Sequence, residues 1–182
     1  MYTYENLFVN KIYGELLRFE NNDPDTRLKI NIVLTNDCNQ KCSYCVAKSN
    51  KVKKEDVYYI DKRYIIMLFK YLKYINFNRD FRVNLLGGEP TMHPELENII
   101  SIISNIYPDK TIKFFTNGSQ SIDYYKNLIS KYKLYSYISY HPKFADTNHY
   151  IDIINAFRNE NYLIVIVLEY DYYDKIFDFI NK

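Results

Sequence analysis

The sequence predicts an α/β protein in which helices pack outside a parallel sheet. Three observations predict this class. Five short runs rich in Ile, Val, Phe and Tyr alternate with helical patterns, turn or polar residues follow the runs, and no hairpin joins two runs directly. Five units are too few to close the eight-unit barrel. We therefore expect an open or partial barrel, and the structural alternative is a flat, doubly wound sheet.

The five runs have the composition of buried strands, since they combine β-branched and aromatic residues and end at turn or polar residues. In chain order they are LKINIVL at 28–34, FRVNLL at 81–86, TIKFF at 111–115, YSYISY at 135–140 and YLIVIVLE at 162–169. Because helical segments separate these runs, we expect consecutive strands to run parallel.

Five amphipathic helices are predicted from apolar residues that recur at intervals of three and four. Asp61 is expected to cap the first helix, and Pro94 fits the first turn of the second, with His93 in the turn before it. The predicted buried faces are, helix by helix, Tyr64, Leu68, Tyr71, Leu72 and Ile75; Leu96, Ile99, Ile100, Ile103 and Ile106; Ile122, Tyr125, Leu128, Ile129 and Tyr132; Tyr150, Ile153, Ile154 and Phe157; and Ile176, Phe179 and Ile180.

Length and composition predict one domain. The chain has 182 residues, 47% of them hydrophobic and 25% charged, which suits a globular protein with a sizeable core. A net charge of +2 gives no reason to expect a nucleic-acid or membrane partner. No transmembrane run or signal-peptide pattern is present, so we expect a cytoplasmic protein. Residues 1–27 are expected to form an N-terminal extension and 28–182 a single core domain, minimal or truncated.

All three cysteines, Cys38, Cys42 and Cys45, lie in the stretch TNDCNQKCSYC after the first predicted strand. Their odd number argues against a disulfide framework. Three interpretations compete: buried free thiols, a zinc site completed by His93 or His141, and a cubane iron–sulfur cluster. The polar loop disfavours the first. A four-iron cluster with three thiolates leaves one iron open to a small molecule, whereas electron carriers use four cysteines.

Further polar and glycine residues follow the other predicted strands. The sequence GGEP occupies 87–90 after the second strand, and TNG occupies 116–118 after the third. Ser139 and His141 end the fourth strand on a shared face, and Glu169 ends the fifth. Ligands bind at the carboxyl ends of the strands in βα architectures. We therefore expect these residues and the cysteine loop to meet at the edge of the sheet formed by the carboxyl ends of the strands, which is called the rim below.

Together these motifs resemble those of the radical S-adenosylmethionine (SAM) superfamily. Its signature is C-x3-C-x-aromatic-C, and Tyr44 occupies the aromatic position. The segment LLGGEPTMHPEL looks like the glycine-rich segment that contacts SAM, and TNG after the third strand also matches. The resemblance extends from about Leu28 to about Glu169 and implies a partial (βα) barrel. The family core usually has six βα units, and five are recognisable here.

The resemblance implies a [4Fe-4S] cluster held by Cys38, Cys42 and Cys45. It also implies that the amino and carboxylate groups of SAM bind the iron that lacks a protein ligand. One electron cleaves SAM reductively, and the 5′-deoxyadenosyl radical abstracts a hydrogen atom from the substrate. The cofactor carries this step, while the protein holds the geometry and excludes water.

The same resemblance assigns SAM contacts to the cysteine loop and the GGEP segment. Tyr44 would contact the adenine, and the alternative is a tyrosine packed on the sheet. Gly87 and Gly88 would let the backbone approach the methionine moiety, or form a tight turn. Glu89 would accept a hydrogen bond from the SAM ammonium, and its alternative is a solvated acid near a helix start.

Later strands contribute the remaining candidates. Asn117 would contact SAM or cap the turn after the third strand. Ser139 would bind the SAM ribose or carboxylate, and its alternative is a small residue in the interior of the strand. His141 and Glu169 are candidates to face the substrate. His141 could instead face SAM, and the alternative for this lone histidine is a structural role. His149 is expected on a solvated helix face.

The resemblance implies an enzyme that receives electrons from a flavodoxin-like or ferredoxin-like donor. Its substrate would be a peptide, a partner protein or a small molecule. The alternative function is a non-catalytic zinc or iron–sulfur module, or a truncated fragment.

Overall fold

A computed structural model describes residues 28–77, 80–132, 134–158 and 162–182. Within these ranges the strands are β1 (Leu28–Val33), β2 (Phe81–Leu86), β3 (Thr111–Thr116), β4 (Tyr135–Tyr140) and β5 (Tyr162–Ile166). They form one parallel sheet in the order β1-β2-β3-β4-β5. The expected extension at residues 1–27 lies outside the described residues.

The strand order decides between the two architectures expected from the sequence. A doubly wound sheet reverses its order at a switch point. Here every strand pairs with the next one along the chain, so the order never reverses. The α/β class is confirmed, the order agrees with a partial (βα) barrel, and the doubly wound alternative is wrong.

Helices connect and follow the strands. They are α1 (Lys62–Tyr74), α2 (Leu96–Ile106), α3 (Ile122–Tyr132), α4 (Thr147–Ala156) and α5 (Tyr173–Ile180). Short 3-10 turns lie at Ser49–Lys51, Lys54–Asp56, Pro90–Met92 and Tyr170–Tyr172. Across the described part of the chain, every helix is too short or too polar to cross a bilayer.

Alternate strand residues pack against the helices to form the core. Most of the predicted faces of α2 and α3 is confirmed, since these helices bury Leu96, Ile99, Ile100, Ile103, Tyr125, Leu128 and Ile129. The remaining predicted residues, Ile106, Ile122 and Tyr132, are half-buried. In α4 Ile154 is only half-buried, and in α5 Ile180 is exposed. The rest of those two predicted faces is buried.

The predicted face of α1 is partly wrong. The helix buries Ile65, Leu68, Phe69 and Leu72, whereas Tyr64 is 48% exposed. Residues 64–69 are apolar without a break, so the spacing alone fits two helix faces. Packing selects the face that carries Phe69, whose ring lies 6.4 Å from that of Phe81.

Three strand ends differ from the expected ones. β1 ends at Val33, β3 continues through Thr116, and β5 ends at Ile166 instead of reaching Glu169. The β4 ladder ends where Tyr140 pairs with Ile166, so the following residues have no partner strand. Glu169 therefore lies in the loop after β5.

The predicted cap of α1 is confirmed, because Asp61 Oδ1 accepts a hydrogen bond from the Arg63 N–H at 2.8 Å. We expect Asp61→Ala to lower the free energy of unfolding by about 1 kcal/mol, since it leaves that donor without its cap. Chemical denaturation measures the change. Asp61→Asn is the control, because it keeps an accepting oxygen. Equal losses in both variants would contradict the capping role.

Candidate functional site

Hydrogen bonds hold the cysteine loop after β1 from two sides. On one side, the Gly88 N–H donates to Thr35 O at 2.8 Å and the Glu89 N–H donates to Asp37 O at 2.7 Å. On the other side, Thr35 Oγ1 donates to Tyr58 O at 2.6 Å. The end of β2 and the segment before α1 therefore position the loop that carries the cysteines.

The two glycines of the GGEP segment make this approach feasible. A Cβ on Gly88 would lie 2.1 Å from Asp37 O, and one on Gly87 would lie 2.4 Å from Thr35 O. Both distances are far below van der Waals contact, so any side chain would push the cysteine loop away. The sequence predicts that these glycines allow either close approach to a ligand or a tight turn. The structure shows a further reason for them, which is the close packing of the GGEP segment against the backbone of the cysteine loop.

We expect Gly88→Ala to displace the cysteine loop and destabilise the protein by about 1–3 kcal/mol, as overpacked sites do. Thermal unfolding and the iron content after anaerobic reconstitution measure the two effects. Ser43→Ala is the control, since Ser43 is exposed in the same loop. A Gly88→Ala protein with normal iron content and stability would contradict the packing argument.

Glu89 is fully buried beside this loop. Its Oε1 accepts hydrogen bonds from the N–H and Oγ1 of Thr91, at 3.0 and 2.8 Å, and from Thr116 Oγ1 at 2.7 Å. Its Oε2 accepts from the Asn117 N–H at 2.6 Å. Burial raises the pKa of Glu89, and these hydrogen bonds oppose that shift. The alternative of a solvated acid is therefore wrong, because Glu89 joins the ends of β2 and β3.

One cavity of about 400 Å³ collects nearly all the residues expected on the rim. Its lining includes Cys38, Cys42, Cys45, Tyr44, Gly87, Gly88, Glu89, Asn117, Ser139 and His141. Glu169 is not part of the lining. The expected convergence of four strand ends is therefore observed, while the fifth contributes Val167 instead.

Tyr44 and His141 form a pair at the cavity wall. The Tyr44 hydroxyl lies 2.8 Å from His141 Nδ1, and the two rings are stacked 5.8 Å apart. Cys42 Sγ lies 3.9 Å from the same nitrogen. Burial raises the pKa of the Tyr44 hydroxyl, and the neighbouring Cys42 and Glu169 add to this shift. Burial lowers the pKa of His141. Glu169 thus lies near this pair although it does not line the cavity.

Asn117 directly follows β3, and Ser139 lies in β4. The Asn117 side chain donates to Asn39 Oδ1 at 2.8 Å and accepts from the Ser119 N–H at 3.2 Å. It therefore caps its own turn, as one prediction held, and also contacts the cysteine loop. The Ser139 carbonyl accepts from the Tyr150 hydroxyl at 2.7 Å, while the residue borders the cavity.

The other two histidines are engaged elsewhere. His93 Nδ1 accepts from the Glu95 N–H at 3.0 Å, so its Nε2 carries the proton that it donates to Ile60 O at 2.9 Å. The predicted turn position is confirmed, and neither nitrogen is left for zinc. His149 is not on a solvated face, because it is half-buried with Nε2 2.9 Å from Gly118 O.

Sequence reasoning missed several residues of the lining. These are Gln40, Val46, Leu86, Phe115 and Val167. A signal existed for Phe115, because it pairs in register with Tyr137, which lies two residues before Ser139 on the same strand face. Leu86, Phe115 and Val167 make the side of the cavity next to the sheet apolar.

The three thiols suit a cluster better than a single ion. Zinc needs ligand atoms within about 2.3 Å of one centre. Among the described residues, no three His, Cys, Asp or Glu side chains converge on such a point. A cubane takes one thiolate at each occupied corner, so its ligands can stand farther apart. The cysteines border one shared cavity, which fits a cluster with three protein ligands.

Comparison with known protein families shows the family to which this fold and its candidate site belong. A family model described as the Radical SAM superfamily matches residues 32–168, which is well over half of the chain. The chain belongs to the Radical SAM superfamily. Members of this superfamily are enzymes that bind a [4Fe-4S] cluster and SAM.

Curated radical SAM relatives align with about half of the chain. A GTP 3′,8-cyclase of Aquifex aeolicus (strain VF5) is 29% identical over 92 residues, which are 49% of this chain and 27% of that protein. An S-adenosylmethionine-dependent nucleotide dehydratase of Fibrobacter sp. (strain UWH6) is 34% identical over 95 residues, which are 50% of this chain and 27% of that protein. The alignments thus span about a quarter of each relative.

A solved structure supports the radical SAM fold. The crystal structure of BtrN in complex with AdoMet and 2-DOIA superimposes with a TM-score of 0.61 at 15% sequence identity. The superposition covers 74% of this chain and 54% of that chain. At this identity the likeness concerns the fold alone.

Proposed function

We propose that the chain holds a [4Fe-4S] cluster through Cys38, Cys42 and Cys45 and cleaves SAM reductively to start hydrogen abstraction from a substrate. The observation that carries this proposal is the single cavity shared by all three thiols and the GGEP, Asn117 and Ser139 candidates. When bound, the cluster supplies one electron to the SAM sulfonium, which yields the 5′-deoxyadenosyl radical. The protein groups bind, orient and shield the reactants.

Glu89 is suited to bind the SAM ammonium. Three donors occupy its Oε1, whereas among the described residues Oε2 accepts only the Asn117 N–H and keeps capacity for one more hydrogen bond. A bound cation would also compensate for burial of the carboxylate, which raises the pKa of Glu89 in the free protein. The remaining acceptor of Glu89 is therefore assigned to the amino group of SAM.

Other rim residues would orient the rest of SAM. Ser139 borders the cavity from β4, and its hydroxyl is assigned to the ribose or carboxylate. Tyr44 is assigned to the adenine, with its hydroxyl anchored on His141 at 2.8 Å. Gly87 and Gly88 present backbone to the methionine moiety. Such fixed positions reduce the entropy lost on reaching the reactive geometry.

The apolar side of the cavity would shield the reaction. Leu86, Phe115 and Val167 border it next to the sheet. Exclusion of water there would limit side reactions of a radical. His141 lines the cavity and remains the candidate to face the substrate, whereas Glu169 lies outside the lining.

The identities of the substrate and of the electron donor are further proposals, which depend on the proposed activity. A flavodoxin-like or ferredoxin-like protein would supply the electron. The resemblance to the family implies a peptide, a partner protein or a small molecule as the substrate. Both curated relatives have names that specify nucleotide substrates, so nucleotides are the first small molecules to test.

Anaerobic reconstitution with iron and sulfide tests the proposal. We expect a brown protein with about four iron and four sulfide per chain. After addition of dithionite and SAM, chromatography should detect 5′-deoxyadenosine and methionine. A colourless protein with stoichiometric zinc would instead support the non-catalytic module, and a cluster that never yields 5′-deoxyadenosine would contradict the assigned activity.

A further inference from the structure

The orientation of the Asn117 side chain is determined by its partners. Its Oδ1 accepts a hydrogen bond from the Ser119 N–H at 3.2 Å, so the amide nitrogen must point the other way. That nitrogen has two hydrogens. One is donated to Asn39 Oδ1 at 2.8 Å, and the nitrogen lies 3.9 Å from Cys38 Sγ. The second hydrogen is therefore available to the sulfur.

Cys38 also receives a backbone donor. The Gln40 N–H points at Cys38 Sγ from 3.4 Å. Two N–H groups, from Gln40 and Asn117, thus lie around this half-buried sulfur. Such donors would stabilise negative charge on a Cys38 thiolate.

Asn117 is held firmly enough to serve as a fixed donor. Only 6% of its surface is exposed, and its backbone N–H is bound to Glu89 Oε2 at 2.6 Å. A donor on a buried strand end loses little conformational freedom when it binds sulfur. The contact between Asn117 and Cys38 connects the residue after β3 to the first cysteine of the loop, 79 residues away in sequence.

We propose that Asn117 is a positioning residue that donates an N–H to the Cys38 thiolate and thereby raises the reduction potential of the cluster. This inference rests on the proposed cluster site. Hydrogen bonds to ligand sulfurs stabilise the reduced state, because it carries one more negative charge. The role assigned to Asn117 is thus electronic tuning of the cluster through Cys38, in addition to capping its own turn.

Potentiometry on the reconstituted protein tests the inference, with the reduced cluster followed by electron paramagnetic resonance (EPR). Asn117→Leu removes the donor at nearly constant volume, and we expect its midpoint potential to be more negative than that of the wild type. Asn117→Ser is measured as a second variant, because its shorter side chain cannot reach Cys38 and is less disruptive to folding. The same negative shift is expected in it.

Asn39→Ala is the matched control. It removes the tether between Asn39 Oδ1 and Asn117 but leaves the amide free to donate to Cys38. We expect an unchanged potential in this variant. A merely structural role would lower cluster content alike in the Asn39 and Asn117 variants and leave every potential unchanged, which would overturn the inference. Failure of the wild type to assemble any cluster would overturn the proposed function, and this inference with it.

Discussion

Replacement of Cys38, Cys42 or Cys45 by alanine is expected to abolish 5′-deoxyadenosine formation. Each thiolate would hold one iron, and the protein offers no spare cysteine, since the chain has only three. Loss of one ligand leaves two irons without protein ligands, so the cluster should be lost or become labile. Iron content, visible absorbance and product analysis measure the effect.

Ser43→Ala is the control for the cysteine variants. Ser43 lies between Cys42 and Cys45 in sequence and is exposed, so its replacement tests whether any change in the loop is harmful. We expect nearly wild-type iron content and product formation. Sustained turnover in any of the three cysteine variants would refute the ligand assignment.

Glu89→Ala is expected to lower the free energy of unfolding by about 3 kcal/mol, because it leaves several buried donors without an acceptor. The affected groups are the Thr91 N–H and hydroxyl, the Thr116 hydroxyl and the Asn117 N–H. Denaturation of the protein without cofactors measures this loss. The connection between the ends of β2 and β3 would be broken at the base of the site.

Glu89→Gln separates stability from SAM binding. Glutamine keeps the shape and one accepting oxygen, so we expect a smaller loss of stability than with alanine. It removes the charge, so SAM should bind roughly tenfold or more weakly, as expected when a charge-assisted hydrogen bond is lost. Equal SAM affinity in Glu89→Gln and the wild type would contradict the assignment of Glu89 to the ammonium.

The strands and the rim were predictable because both depend on local patterns. Buried parallel strands are nearly continuous apolar runs, and β2 and β4 match their predicted bounds. The carboxyl ends of parallel strands meet at one edge of the sheet, so the sequence alone predicts that Cys38, Glu89 and Ser139 lie close together, and they line one cavity.

What escaped prediction depends on contacts between distant residues. The stacking of Tyr44 on His141 joins positions 97 apart, and no local pattern encodes it. The reason for Gly88 is likewise nonlocal, since the obstacle to a side chain is Asp37 O in another loop. In α1, an unbroken apolar stretch left two possible faces, and only packing around Phe69 distinguishes them.

EPR and electron–nuclear double resonance on the reduced protein, with SAM labelled by ¹⁵N at the amino group, test most directly whether one iron lacks a protein ligand. The account predicts that SAM changes the EPR signal of the reduced cluster and that the labelled nitrogen couples to it. An EPR signal that SAM leaves unchanged, together with coupling from a histidine nitrogen of the protein, would show that a side chain holds the fourth iron, and would contradict the account.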